Sequence, residues 1–122
     1  MNKEFIPYEQ ALALKELGFD EPCFGYFYTE DKFFETKIKN SELEEDCSIS
    51  APTFSQAFRW FREKYDLIVC NDYGNNEYFY WLISKDEKMF FNNEDEEGNV
   101  TTYKTYEEAE LECLKKLIEI VK

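Results

Sequence analysis

The chain has 122 residues, with 27 acidic and 14 basic side chains, no histidine and a formal net charge of −13. A field of that sign repels phosphate backbones and anionic lipid surfaces, so nucleic acids and membranes are not expected as partners. Without histidine, serine–histidine and cysteine–histidine catalysis are excluded. Four cysteines without a close pair also lack the usual spacing of zinc ligands.

The length predicts one domain over residues 1–122. Its first third predicts one helix and a β-hairpin. The helix covers 8–17 and ends at Gly18, a residue that readily takes the left-handed conformation that stops a helix. Segments 23–28 and 33–39 predict two strands joined by a turn. Residues 40–50, which carry several acids, predict an exposed connector.

The middle of the chain predicts a second helix, over 54–65. Thr53 and Gln56 have the spacing of a capping box, in which each side chain pairs with a free backbone N–H of the other residue. Apolar residues then recur at helical spacing and predict one buried side. That side comprises Phe54, Ala57, Phe58, Phe61 and Tyr65.

The last part predicts further strands and a final helix, 106–121, which opens with Thr105. The strands are expected at 67–71, 77–84, 88–91 and 100–104. Segment 77–84 is apolar on both faces, which is typical of a central strand covered on both sides. The elements together predict an α+β fold, with three helices packed on an antiparallel sheet and an α-β-β-β-α order in the C-terminal part.

The four cysteines are spread along the chain and form no close pair, a distribution that favours buried or half-buried thiols in a reducing cytoplasm. They are Cys23, Cys47, Cys70 and Cys113. The acidic segment 93–100 resembles half of a calcium loop. Its twelfth position would be Lys104, where a bidentate glutamate is needed. An exposed turn is therefore predicted, with no bound metal and no cofactor.

Three segments resemble a small, uncharacterised protein family of gut Bacteroides genomes and their phages. They are residues 7–23, 51–65 and 105–122, which together cover well over a third of the chain. The resemblance implies a bacterial or phage-infected cytoplasm. It implies no activity and no site residues, so no role is assigned to any position from it.

These observations favour a non-catalytic, acidic interaction module, encoded by a phage or mobile element and acting on a host protein. Two alternatives stay open: a small enzyme that uses carboxylates and a metal, and a small-molecule binder. The binder would use an aromatic pocket, formed by Tyr26, Tyr28, Tyr78, Tyr80 and Trp81.

The predicted binding residues lie on the middle helix: Arg59, Trp60 and Arg62. Tryptophan and arginine are enriched at binding hot spots, so these three predict a contact patch for a protein partner or for self-association. The alternative interpretation is structural. The basic side chains would then pair with acids of neighbouring helices, and Trp60 would cover the edge of the core.

Overall fold

The structure, a computed structural model, describes residues 4–43, 48–84, 90–92 and 101–122. Within them the chain forms three α-helices, one short 3-10 helix and six strands in two antiparallel sheets, which confirms the α+β class. In chain order the elements are α1 (Tyr8–Glu16), β1 (Cys23–Thr29), β2 (Lys32–Ile38), the 3-10 helix (Asn40–Glu42), β3 (Ile49–Ser50), α2 (Phe54–Tyr65), β4 (Leu67–Gly74), β5 (Glu77–Ser84), β6 (Phe90–Asn92) and α3 (Tyr106–Val121).

The predicted single sheet is wrong, because the strands form two sheets. β1 is central in the first sheet, between β2 and β3, and β5 is central in the second, between β4 and β6. The central position predicted for 77–84 is therefore confirmed. In the predicted strand 100–104, the described residues contribute only one isolated bridge, from Tyr103 to Tyr78. Val100 lies outside the described residues.

The predicted exposed connector, 40–50, is wrong at its end. Ser48, Ile49 and Ser50 are all buried, and the last two form β3 beside β1. The Asn40 side chain holds this segment in place: its amide donates to the Phe19 carbonyl at 2.9 Å and its oxygen accepts from the Ser50 N–H at 2.8 Å. A two-residue strand has no periodicity, so the sequence pattern could not reveal it.

Contacts within the chain define two compact units, Met1–Ala57 with Lys122 and Phe58–Val121. The first unit contains α1 and the first sheet, with α1 packed beside β3. Its aromatic core is built around Phe27, whose ring lies 5.1 Å from that of Phe33, and Phe33 lies 5.0 Å from Phe5. The single-domain assignment stays a prediction.

The second unit is formed by the second sheet and α3, which packs against β4 and β5. Tyr80 and Leu82 of β5 are buried, and the Tyr80 hydroxyl donates to the Glu112 carbonyl of α3 at 3.4 Å. Asn75 and Asn76 join β4 to β5, both with positive φ. Two left-handed residues form a type I′ turn, whose twist suits a tight hairpin.

The caps predicted for α2 and α3 form at their threonines. The Gln56 N–H donates to Thr53 Oγ1 at 3.2 Å, and the Glu108 N–H donates to Thr105 Oγ1 at 3.1 Å. The Gln56 side-chain amide donates to the Pro22 carbonyl at 2.8 Å, so this residue also ties the start of α2 to the segment before β1. None of the helices in the described ranges is long and apolar enough to cross a membrane.

The predicted buried side of α2 is wrong at two positions, because Phe58 and Tyr65 are both only half-buried. Trp60 is 6% exposed and Phe61 is fully buried, whereas Phe58 is only half-buried. The indole packs edge-on against the rings of Phe61 and Tyr65, with ring centroids 5.2 and 5.6 Å away. The core side of the helix is thus rotated toward Trp60 relative to the predicted stripe.

Gly25→Ala is expected to destabilise the protein by about 1–3 kcal/mol, because a Cβ at this position of β1 would meet the Phe33 ring and approach Phe5 Cε1 to 3.0 Å. Gly74→Ala is the matched control, since its Cβ would find no side-chain atom nearer than 3.7 Å. Urea unfolding of both variants measures the difference. Equal loss of stability in both would contradict the packing described for β1.

Leu114→Ala is expected to lower the free energy of unfolding by about 2–5 kcal/mol, since Leu114 is fully buried on α3 and truncation leaves a cavity. Leu12→Ala on α1 removes the same atoms from a side chain that is 37% exposed, and should change it by less than about 1 kcal/mol. Chemical denaturation compares the two. Comparable losses would show that the buried side of α3 is wrongly assigned.

Candidate functional site

The residues predicted to bind, on α2, do not all reach the surface. Arg59 and Arg62 are exposed, but the Trp60 side chain is in the core. The Lys64 ammonium lies 4.9 Å from the centre of the indole ring, a cation–π contact. The surface at this point therefore offers guanidinium groups without an accessible tryptophan face, and the contact patch stays a prediction.

A second candidate is the outer face of the first sheet, termed the aromatic face and comprising Phe24, Tyr26, Tyr28 and Phe34. Along β1 the side chains alternate between the core and this face, with Cys23, Gly25 and Phe27 buried. Phe24 is 65% exposed, Phe34 48% and Tyr28 40%. Exposed apolar side chains are unremarkable when scattered, but a contiguous group marks a surface for binding.

The aromatic face is ordered by the strand register. Tyr26 lies directly opposite Phe34 in the β1–β2 ladder, and their rings stack with centroids 5.5 Å apart and planes 27° apart. Such pairs stabilise a sheet surface and hold the rings in fixed positions. Acidic Glu30 and Asp31 form the adjoining turn and are exposed. The face is thus an apolar surface beside two exposed acids, with the exposed Lys32 following them at the start of β2.

A third candidate, in the second unit, is termed the tyrosine cluster: Asn71, Tyr73, Tyr78, Tyr106 and Glu110. The register places Asn71 opposite Tyr80 and Tyr73 opposite Tyr78, all on the face of the second sheet that α3 covers. The ring of Tyr78 lies 4.8 Å from that of Tyr73 and 5.9 Å from that of Tyr106, between centroids. The cluster therefore spans β4, β5 and the start of α3.

Two polar groups of the tyrosine cluster, Asn71 and Glu110, are unusual among the described residues. The Asn71 side-chain oxygen is buried and accepts no hydrogen bond from the described residues, although the Asn71 amide lies against the Tyr106 phenol. An acceptor left in this state costs about 1–3 kcal/mol of stability. Burial and, to a lesser degree, the neighbouring Glu107 carboxylate raise the pKa of Glu110 to about 7.

The described thiols are packed, as the sequence predicts. Cys23 and Cys113 are buried and Cys70 is half-buried, while Cys47 lies outside the described residues. Burial raises the pKa of Cys23 to about 11 and raises that of Cys113 as well. Because a nucleophilic cysteine needs a lowered pKa, neither of these two is poised for catalysis at neutral pH.

The aromatic residues predicted to line a small-molecule pocket do not all share one face of a sheet, and the pocket itself stays a prediction. Tyr80 and Trp81 are consecutive on β5 and so point to opposite faces of the sheet. Tyr26 and Tyr28 belong to the other unit. Across the described ranges, no group of three or more aspartate, glutamate or cysteine side chains is arranged to hold a metal ion. The acidic segment 93–100 lies outside those ranges.

The sequence pattern did not identify Phe24, Phe34, Asn71 and Glu110 as residues of a candidate site. A signal for the first sheet was present, since segment 23–28 carries aromatic residues on both of its faces. For Glu110 the signal was its spacing, four residues after Tyr106 and three before buried Cys113. Nothing in the sequence marks Asn71, because tertiary packing alone leaves its side-chain oxygen buried without a donor from the described residues.

No protein-family model matches the chain, and no curated protein or solved structure matches it either.

Glu110→Gln is expected to remove part of the pH dependence of stability. The pKa of Glu110 is about 7 in the folded protein against an ordinary value of 4.5, so between these values the folded state retains a proton that the unfolded state releases. Stability contributed by that proton is present below about pH 4.5 and is lost as the pH rises through 7. Melting temperatures from pH 4.5 to 8 measure it.

The matched control is Glu108→Gln, which changes an exposed carboxylate of the same helix. Between pH 5 and 8, Glu110→Gln should gain stability relative to the wild type, and Glu108→Gln should follow the wild-type curve. Parallel curves for Glu110→Gln and the wild type would show that Glu110 is not desolvated in the folded protein.

Proposed function

We propose that this chain is a non-catalytic interaction module that binds a basic segment of a partner protein through the aromatic face of the first sheet. The observation that carries the proposal is the exposure of Phe24, Tyr28 and Phe34, at 40–65%, on one side of a single sheet. Covering such an apolar surface with a partner is favourable, because water is released from it. Aromatic side chains are also enriched where binding energy concentrates.

The charge of the chain supports a basic partner. With a net charge of −13, the chain attracts cationic proteins over long distances and repels anionic ones. Arginine suits this surface best, because its planar guanidinium stacks on aromatic rings while it pairs with carboxylates. Glu30 and Asp31, in the turn beside Tyr28, are exposed for such pairing.

Self-association is the less favoured outcome. Two copies, each at −13, repel one another. β2, an edge strand of its sheet, also carries features that discourage pairing with a second edge. Its register with β1 shifts between Glu35 and Ile38, and Lys32 and Lys37 are exposed along it. Bulges and edge lysines are the common means by which sheets avoid edge-to-edge association.

The resemblance to a family of gut Bacteroides genomes and their phages gives this proposal a biological setting. In that setting the partner would be a host protein, and the module would act by covering its basic surface. No specific feature of the described residues favours the enzyme or the small-molecule alternative over this one.

The test is fluorescence anisotropy with a labelled ten-residue peptide of alternating arginine and glycine. The wild type should bind it saturably, and the Phe24→Ser, Phe34→Ser double variant should bind about tenfold more weakly or worse, as expected when hot-spot residues are removed. The double variant keeps the net charge of the wild type. Non-specific attraction to the acidic chain would therefore be unchanged in it, and equal affinities would contradict the proposal.

Two controls complete the experiment. Leu12→Ser replaces a side chain that is 37% exposed on α1, outside the aromatic face, and should leave affinity unchanged. Circular dichroism should show that both variants melt cooperatively, as the wild type does. Light scattering tests self-association: a wild-type dimer that dissociates in the double variant would assign the face to a second copy and overturn the basic partner.

A further inference from the structure

We infer that the outer edge of β4 receives an extended, basic segment of a partner protein as an added antiparallel strand. β4 pairs with β5 on one side and with no described strand on the other. This edge lies in the second unit and involves different residues from the aromatic face. The inference is therefore independent of the proposed function.

The backbone groups that face the outer edge follow from the pairing of β5. Tyr78 exchanges two backbone hydrogen bonds with Tyr103, each 2.8 Å long, so its N–H and its carbonyl both point away from β4. Tyr73 lies opposite Tyr78 and must therefore direct its own N–H and carbonyl away from β5. The β4–β5 register has no shift, and the pattern repeats every second residue. Val69 and Asn71 thus also direct both backbone groups outward.

These outward groups, termed the open edge, are the backbone N–H and carbonyl of Val69 and of Asn71. Neither residue forms a backbone hydrogen bond on this side with another described residue. The open edge ends at Asp72, whose Oδ1 accepts from the Tyr73 N–H at 2.8 Å. A residue that offers a donor and an acceptor on the same side can exchange two hydrogen bonds with one residue of an antiparallel strand.

β4 lacks the features that commonly protect an edge strand. It is eight residues long, it contains no lysine and no proline, and its register with β5 is uninterrupted. β2, the edge of the first sheet, has a register shift and exposed lysines instead. Long, regular edges without such features are the ones that pair with further strands. Strand addition to a free edge is also a common way for a protein to bind an extended peptide.

The charge beside the open edge selects the occupant. β4 and β5 contain no lysine or arginine, and Asp72, the one charged residue of β4, is exposed. Its hydrogen bond to the Tyr73 N–H holds the carboxylate at the outer edge. A cation opposite an acid stabilises a pair of strands, whereas a second acid destabilises it. The added strand therefore carries an arginine or a lysine opposite Asp72.

The remaining side chains of β4 favour β-branched residues in the added strand. Ile68 and Cys70 share the sheet face of Asp72, are half-buried, and present apolar surface to a neighbouring strand. Valine and threonine pack well in such cross-strand positions. A second copy of the chain suits the edge less well than a basic partner, because each copy has a net charge of −13.

The test is hydrogen exchange, followed by NMR, on the full chain with a capped hexapeptide: threonine–arginine–threonine–valine–threonine–valine. Paired antiparallel with residues 68–73, it places its arginine opposite Asp72. In the free protein the amides of Val69 and Asn71 should exchange faster than those of Ile68 and Cys70, which pair with β5. Saturating peptide should slow exchange at Val69 and Asn71 by about tenfold or more. Equal exchange of the two pairs in the free protein, or no slowing by the peptide, would overturn the inference.

Methylated peptides show whether binding uses the backbone. N-methylation of the third and fifth residues removes the donors that face Asn71 and Val69, and should weaken binding by about tenfold or more. N-methylation of the second and fourth residues removes N–H groups that face away from β4, and should leave affinity unchanged. Both peptides keep the same charge, so equal affinities would contradict strand addition.

Variants test the choice of a basic partner. Asp72→Asn removes the charge and keeps an oxygen for the Tyr73 N–H, and should weaken binding by about two- to fivefold. Glu108→Gln, an equal loss of charge at an exposed position of α3, should bind as the wild type does. Unchanged affinity in Asp72→Asn would overturn the basic partner. The Phe24→Ser, Phe34→Ser variant should bind the hexapeptide normally, so failure of the aromatic face and failure of the open edge are distinguishable.

Sedimentation of the wild type distinguishes a partner from a second copy. A monomer whose Val69 and Asn71 amides exchange rapidly supports the inference. A dimer in which these amides become protected as the protein concentration rises would assign the open edge to a second copy and overturn it.

Discussion

Successive side chains of a β-strand point to opposite faces, and in this protein that alternation decides which aromatic residues are core and which are surface. Aromatic residues make up 19% of the chain, and the segments that become β1 and β5 carry them at consecutive positions. β1 therefore buries Phe27 and exposes Phe24 and Tyr28. The exposed rings follow from placing aromatic residues on both faces of a strand that is buried on one face only.

The second constraint is electrostatic. Most acids of the chain are exposed and hydrated, and their charge acts mainly through the long-range field. Glu110 differs because it lies on the α3 side that faces the sheet, where removal of water penalises its charge. Among the carboxyls of the described residues, Glu110 is the one whose pKa is raised, a property that the net charge does not convey. The burial of Glu110, rather than the number of acids in the chain, is the main cause of its raised pKa.

The helices were the most predictable part of the fold, because their signals are local. Thr53 and Thr105 mark the starts of α2 and α3, and Gly18, at φ 95°, follows the end of α1. The strand pairings were less predictable. β3 is only two residues long and pairs with β1. The strands also divide between two sheets, where one was predicted. No pattern within a short segment specifies which distant strand it will join.

The candidate sites show the same limit. Trp60 is a typical hot-spot residue by composition, yet a small rotation of the helix relative to the predicted stripe buries it in place of Phe58. Asn71 and Tyr106 are 35 positions apart in the sequence and come together only because α3 packs against β4. A site assembled by tertiary packing from neutral or common residues has no sequence signature of its own.

Two thiols of the described residues, Cys23 and Cys113, are fully buried, and they lie in different units of the chain. A thiol that is inaccessible in the native state reacts with an alkylating reagent only when the structure around it opens. Each cysteine is thus a native chemical reporter of local opening, one for the sheet of β1 and one for the helix that covers the second sheet. Labelling rates at the two positions would reveal whether the units open together or separately, without any introduced probe.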